Sequence, residues 1–120
     1  ILLTSCGGSP PETLGEKDQA LHSCPKKPNC KIIRTKIKNT ITKKSIINVM
    51  NNIDNSKMEK SNKNYLHFSI TSKIFRFVDD VEFIIHSENE LTIKSASRVG
   101  YYDFDVNKKR VNKIIKKLNN

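Results

Sequence analysis

The chain has 120 residues, which suits one small domain with a single two-layer core and is too short for two domains. Its 22 basic residues outnumber its 12 acidic residues, giving a formal net charge of +10 that would suit nucleic acid or an anionic membrane. No stretch approaches the roughly 18 apolar residues of a membrane-spanning helix, so a helical transmembrane domain within this sequence is excluded.

The first residues, Leu3-Thr4-Ser5-Cys6, run from an aliphatic residue through two small residues to a cysteine. This order resembles the lipobox at the end of a bacterial lipoprotein signal peptide. The resemblance implies a signal-peptide remnant at 1–5, a lipid on Cys6, and a place in the bacterial cell envelope on the periplasmic side of a membrane. Several acyl chains would anchor firmly, at about 0.8 kcal/mol per buried methylene. Residues 6–23, which are polar and contain proline and glycine, are predicted to be the lipidated cysteine and a flexible tether.

The other two cysteines lie close together, at Cys24 and Cys30, in a stretch with two prolines. With Cys6 lipidated they remain as a pair, and outside the cytoplasm such a pair is expected to form a disulfide. The alternative is a metal site of His22, Cys24 and Cys30, but no second His/Cys cluster would supply a fourth ligand. We expect no metal and no cofactor.

Residues 24–120 are expected to form a single α+β domain. Short β-branched and aromatic runs predict strands at Lys31–Ile37, Tyr65–Ser72, Asp80–His86 and Leu91–Ser97. Helical spacing of apolar residues predicts two amphipathic helices, from Lys43 to about Asn55 with Thr42 as its cap, and from about Val106 to Leu118. The residues just before Asn64 resemble a loop. The expected architecture is a two-layer fold, with an antiparallel sheet of three to four strands and both helices on one face.

Three stretches stand out by their motifs: Cys24–Cys30 with its prolines, Ser72–Phe83, and Ser95–Val111. In this order they resemble a bacterial and plastid family, the domain of unknown function 1499 family, across nearly all of Cys24 to Leu118. The resemblance brings no established activity. Family members commonly have a glycine where this chain has Asp105, and arginines where it has Lys108 and Lys109.

Arginine is scarce beside 18 lysines, and three of the four arginines lie between Ser72 and Val111. Because a planar guanidinium binds carboxylate or phosphate through two parallel hydrogen bonds, scarce arginines indicate a geometric requirement. We therefore predict a surface that binds a partner protein or an anionic ligand, formed by Arg76, Arg98, Tyr101, Asp103, Asn107 and Arg110. The alternative is an internal network in which Asp79 and Asp80 pair with Arg98 or Arg110 and join the sheet to a helix.

The sequence contains no Walker loop, no His-Glu-x-x-His and no Gly-x-Ser-x-Gly motif, so no catalytic residue is assigned. The predicted function is that of a membrane-anchored envelope protein that binds or assembles with a partner. Nucleic acid is not an expected partner, because a protein outside the cytoplasm seldom meets it. The charge instead suits phospholipid headgroups. The enzyme alternative is a hydrolase acting on an envelope component through Asp103 or an acid of residues 79–82, and a purely structural role at the membrane is a third possibility.

Overall fold

A computed structural model describes residues 8–100 and 104–120. The strands are β1 (Glu16–Lys17), β2 (Ala20–Leu21), β3 (Cys30–Lys36), β4 (Ser56–Asn62), β5 (Tyr65–Thr71), β6 (Val78–Ser87) and β7 (Glu90–Ser97). The helices are α1 (Lys43–Asn51) and α2 (Val106–Leu118). Strands β3 to β7 form one antiparallel sheet in the order β3-β7-β6-β5-β4, and β1 pairs with β2 in a separate hairpin.

The predicted α+β class is confirmed, but the predicted sheet of three to four strands is too small. The missing strand is β4, which lies at the edge of the sheet beside β5. All its residues after Ser56 are exposed, so it shows none of the apolar alternation by which a half-buried strand is recognised. An edge strand rich in charge also protects the sheet from pairing with another chain.

Helix α1 begins where the sequence predicts. The Thr42 hydroxyl accepts a hydrogen bond from the Ser45 backbone N–H (3.0 Å), and the Ser45 hydroxyl accepts one from the Thr42 N–H (2.9 Å). This capping box satisfies two N–H groups that have no partner within the helix. The helix ends at Asn51, earlier than expected, and Asn55 takes a positive φ of 64° that a right-handed helix cannot contain.

The hydrophobic core lies between one face of the sheet and the two helices. Alternate strand residues such as Phe68 and Phe83 point to this face, and their rings meet edge to face with centroids 5.9 Å apart. Ile46 of α1 and Ile114 of α2 complete the core and are fully buried. Within the described ranges, no helix is long and apolar enough to span a bilayer.

The opposite face of the sheet is covered by residues 8–23, which were predicted to be a tether. The Gly15 backbone N–H donates a hydrogen bond to the Glu82 carboxylate (2.7 Å), and the Lys94 ammonium donates one to the His22 carbonyl (2.8 Å). The predicted two-layer architecture is therefore incomplete, because residues 8–23 add a further layer on the face of the sheet opposite the helices. Cys24 and Cys30 form the predicted disulfide, with Cα atoms 5.7 Å apart, at the start of β3.

Candidate functional site

The two adjacent acids of β6 point to opposite faces of the sheet, as strand alternation requires. Asp80 lies opposite Ser69 and Ala96, on the face covered by residues 8–23. Asp79 lies opposite Ile70 and Ser97, on the face of the helices. Each acid forms an ion pair with a different arginine, so the site region consists of two separate networks.

On the face covered by residues 8–23, Asp80 holds both His67 and Arg98. Its carboxylate accepts hydrogen bonds from Arg98 Nε and Nη2, both 2.9 Å, and from His67 Nε2 at 2.7 Å. Only 3% of the Asp80 side chain is exposed. Burial by itself raises the pKa of Asp80, but the hydrogen bonds from His67 and Arg98 outweigh it and hold the pKa below its ordinary value.

The same face buries a second titratable group. The Tyr65 hydroxyl donates to the Glu82 carboxylate at 2.5 Å, and burial together with this acid raises the pKa of Tyr65 above its ordinary range. Lys94 lies opposite Glu82 on the neighbouring strand, and burial lowers its pKa although Glu82 and Asp80 oppose that shift. This face of the sheet therefore buries titratable side chains, which is uncommon for a small domain.

On the face of the helices, Asp79 pairs with Arg110 of α2 at 2.7 Å. Arg110 Nη1 also donates to Asn107 Oδ1 (2.9 Å) and to the Ser95 hydroxyl (3.2 Å). Asn107 is fully buried and donates to the Asn29 carbonyl at 3.0 Å, so it joins α2 to the disulfide loop. The internal network of arginines and acids, predicted as the alternative, is present on both faces.

The predicted binding residues are not gathered in one place. Arg98 and Arg110 belong to networks on opposite faces of the sheet, and Asn107 is buried between strand and helix. Arg76 is exposed in the loop between β5 and β6. Tyr101, Asp103 and the predicted lipidation site Cys6 lie outside the described residues. The disulfide leaves no thiolate at Cys24 or Cys30 for the alternative metal site.

Two clefts open at one end of the sheet, on either side of the β5–β6 loop. The first, which we call the basic cleft, has a volume of about 450 Å³. It is lined by Asn55, Ser56, Lys57, Glu59, Ser69, Thr71, Arg76, Val78 and Arg98. The second, the apolar cleft, has a volume of about 630 Å³. It is lined by Ile70, Ser72, Phe77, Asp79, Ser97, Val99, Gly100, Phe104, Val106 and Arg110.

The basic cleft contains two residues that the sequence did not single out, Lys57 and Glu59. Both belong to β4, which the sequence presents as a loop, so no pattern placed them beside Arg76 and Arg98. Glu59 accepts a hydrogen bond from the Ser69 hydroxyl at 2.5 Å. Three cations and one carboxylate line the cleft, but the charge of Arg98 is already balanced by Asp80. Lys57 and Arg76 still outnumber Glu59, and this excess of positive charge favours an anion.

The acids of residues 79–82, which the hydrolase alternative invokes, already have hydrogen-bond partners. Asp79 and Asp80 are both committed to arginines, and Glu82 accepts from Tyr65 and Gly15. Ser69 donates to Glu59 rather than to His67, so the serine, histidine and aspartate on this face do not form a relay of the kind that activates a nucleophile.

Residues 3–118 match a family described as "Protein of unknown function (DUF1499)", and the chain belongs to that family. The match spans almost the whole chain and agrees with the resemblance of its three motifs. No curated protein and no solved structure matches the chain.

Proposed function

We propose that this DUF1499 family member is a lipid-anchored binding module of the bacterial envelope whose basic cleft takes an anionic ligand. The observation that carries the proposal is the convergence of Lys57, Arg76 and Arg98 on one open cleft. The lipobox-like sequence before Cys6 supports the anchor and the compartment.

Arg98 is held in a fixed orientation by the domain itself. Two of its nitrogens bind the carboxylate of Asp80, and the third, Nη1, lies 3.5 Å from the Gly8 carbonyl. A guanidinium held in this way loses little side-chain entropy when a ligand binds, which favours affinity. Arg98 therefore presents its guanidinium to the cleft in one fixed orientation.

Arg76 and Lys57 supply positive charge that is not paired with an acid among the described residues. Both residues are exposed, and neither forms an ion pair within the described part of the chain. Their charges are not neutralised at short range, whereas the charge of Arg98 is. An incoming anion would gain most from Arg76, whose planar guanidinium can donate two parallel hydrogen bonds to phosphate or carboxylate.

The rest of the lining indicates the chemistry of the ligand. Besides the cations, the basic cleft presents the hydroxyl-bearing residues Ser56 and Thr71 and the amide-bearing residue Asn55, while the Ser69 hydroxyl is already bonded to Glu59. These groups suit a small polar body, such as a glycerol or sugar unit, that carries a phosphate or carboxylate.

The ligand proposal is tested by titrating the full chain with inorganic phosphate and with glycerol 3-phosphate, followed by amide NMR and calorimetry. Arg76→Ala should weaken binding by roughly 10- to 150-fold, since a hydrogen bond to a charged group contributes about 1.5–3 kcal/mol. Arg34→Ala is the matched control. Arg34 is also an exposed arginine, but it pairs with Glu90 at the far end of β7 and should leave binding unchanged.

Equal affinity of the Arg76→Ala and Arg34→Ala proteins would refute the ligand site, as would shifts confined to amides outside the basic cleft. The anchor has its own test, mass spectrometry of the mature protein from its native membrane. We expect an acylated Cys6, and an unmodified thiol on the membrane-associated protein would refute the anchor.

A further inference from the structure

Exposed apolar side chains of the described residues are concentrated at one end of the sheet. Six large apolar residues are exposed in residues 8–100 and 104–120, and only Met58 lies on the edge strand β4. The other five are Ile74, Phe75, Phe77, Phe104 and Val106, with exposed fractions of 83%, 67%, 48%, 75% and 44%. We call these five residues the apolar tip.

The β5–β6 loop holds three of these side chains outward. The Ser72 N–H donates to the Phe77 carbonyl (2.8 Å), and the Phe77 N–H donates to the Ser72 hydroxyl (2.9 Å), which closes the base of the loop. Arg76 takes a left-handed φ of 59°, a conformation that costs energy for a residue with a Cβ. The rings of Phe75 and Phe77 stack on one another, with centroids 5.6 Å apart, rather than packing into the core.

The second part of the apolar tip lies across the apolar cleft, at the start of α2. Phe77, Phe104 and Val106 line that one cleft, so the loop and the helix terminus are neighbours. A surface in which this many large apolar groups meet is more than the scattered exposure expected of a monomer.

Among the described residues, four exposed cations flank the apolar tip, and Asp105 is an exposed acid between Phe104 and Val106. Lys73 and Arg76 lie within the loop, and Lys108 and Lys109 are exposed in the first turn of α2, directly after Val106. That turn contains no acidic residue. Cations at a helix N-terminus oppose the helix dipole, so a negatively charged surface opposite them would be stabilising.

We propose that the apolar tip is a bilayer-docking surface, which inserts its aromatic and aliphatic side chains between the headgroups of an anionic membrane while the surrounding lysines and Arg76 contact lipid phosphates. Amphipathic surfaces of this kind bind at the interface through buried apolar area together with attraction to anionic lipid. A second copy of the chain would bring like charges together, so the charge pattern favours lipid over self-association. This docking does not require a ligand in the basic cleft.

The chain contains no tryptophan, so Phe75→Trp introduces a single fluorescent reporter at the tip. The full chain carrying Cys6→Ser, which removes the acylation site, is mixed with vesicles of phosphatidylcholine containing a quarter phosphatidylglycerol. We expect a blue shift of the emission and strong quenching by brominated acyl chains. Met58→Trp is the control, because Met58 is also exposed, at 46%, but belongs to the edge strand β4 rather than to the apolar tip, and its emission should shift less.

A second set of proteins keeps the wild-type tip or replaces it with Ile74→Ser and Phe75→Ser, and vesicle sedimentation measures the partition coefficient. The double variant, and vesicles of phosphatidylcholine alone, should each reduce partitioning by roughly tenfold or more. Circular dichroism should show that the exposed substitutions leave the fold intact.

Emission from Phe75→Trp that does not respond to vesicles would overturn the proposal, as would an equal response from Met58→Trp. A blue shift that depends on protein concentration without vesicles would replace the bilayer with a second copy of the chain and also overturn it. Glycerol 3-phosphate that binds the protein without vesicle binding would refute this inference while leaving the proposed ligand site standing.

Discussion

On the helix side, the sheet buries a continuous apolar cluster that includes Leu66, Phe68 and Phe83, whereas on the other side it buries charged and hydroxyl groups under residues 8–23. Apolar burial is non-directional and scales with area, so the helix side stabilises the fold through closeness of packing. The opposite side depends on pairing, since burying an ion costs several kcal/mol that only good geometry offsets. No buried side-chain nitrogen or oxygen in the described ranges lacks a partner, so this side is fully paired.

This contrast implies that the face covered by residues 8–23 contributes specificity and pH dependence more than net stability. Its members, such as Asp80 and Glu82, fix how residues 8–23 and Arg98 sit on the sheet. The face is also sensitive to loss of one partner, because the remaining charge would stay buried.

The largest predicted effect comes from replacing Asp80, and replacing its neighbour Asp79 gives the matching measurement on the other face of the sheet. Asp80→Ala should lower the free energy of unfolding by about 3–5 kcal/mol, because Arg98 would keep a buried charge without its partner. Asp79→Ala should cost about 1–3 kcal/mol, because Arg110 would retain Asn107 and Ser95 as acceptors. Urea unfolding followed by circular dichroism measures both. Equal losses from the two variants would contradict the contrast between the faces.

Part of this arrangement could be predicted from the sequence. Because Asp79 and Asp80 are neighbours on a strand, their opposite directions follow from period-two geometry. The capping residue Thr42 and the inward residues of α2 followed from equally local rules. Which arginine meets which acid depends on strand register and on the position of α2 across the sheet, and no local pattern specifies either.

The cover formed by residues 8–23 could not be predicted, for a related reason. Polar residues and short strands give no periodicity, and the hydrogen bond from Gly15 to Glu82 joins residues 67 positions apart. One signal was available, since Tyr65, His67 and Ser69 alternate with Leu66 and Phe68 along β5. A strand with polar groups on one face indicates either solvent or a polar cover, and only tertiary structure distinguishes these.

Asp105 precedes α2 with a φ of 63°, in the left-handed region that glycine adopts without strain. Aspartate is one of the few other residues that tolerate this region, so the turn before α2 forms with a side chain present.

A smaller predicted effect concerns the Cys24–Cys30 disulfide, which links the end of the covering segment, residues 8–23, to β3. The double variant Cys24→Ser, Cys30→Ser should lose about 2 kcal/mol, the value expected from loop-closure entropy for so short a loop. Hydrogen exchange at the Gly15 amide should accelerate more than exchange at the Phe83 amide, because the cover would open locally while the core stays closed. Equal acceleration at both amides would show that the cover and the core unfold as one unit.

The smallest predicted effect is that of Tyr65→Phe, which tests how the stability contribution of the buried Tyr65 hydroxyl depends on pH. Removing the hydroxyl should cost about 1 kcal/mol at neutral pH, because Glu82 keeps its hydrogen bond from the Gly15 backbone. At high pH the advantage of the wild type should shrink and disappear, because burial and the neighbouring Glu82 hold the pKa of Tyr65 above its ordinary value of 10.0.

The sign follows from linkage: the unfolded chain loses the Tyr65 proton near pH 10, while the folded chain retains it. The contribution of Tyr65 is therefore complete below pH 10, and above it the free energy of unfolding should fall by up to about 1.4 kcal/mol per pH unit. Lys94 has the opposite effect, because burial lowers its pKa, so the free energy of unfolding rises as the pH approaches the ordinary lysine pKa of 10.5. Because Lys94 is present in both proteins, its effect cancels in the comparison. Urea unfolding across this range, with tyrosinate absorbance as a second measurement, should show a steeper alkaline loss in the wild type than in Tyr65→Phe. Identical slopes would mean that Tyr65 ionises in the folded protein, and that the face beneath residues 8–23 is open to solvent rather than sealed.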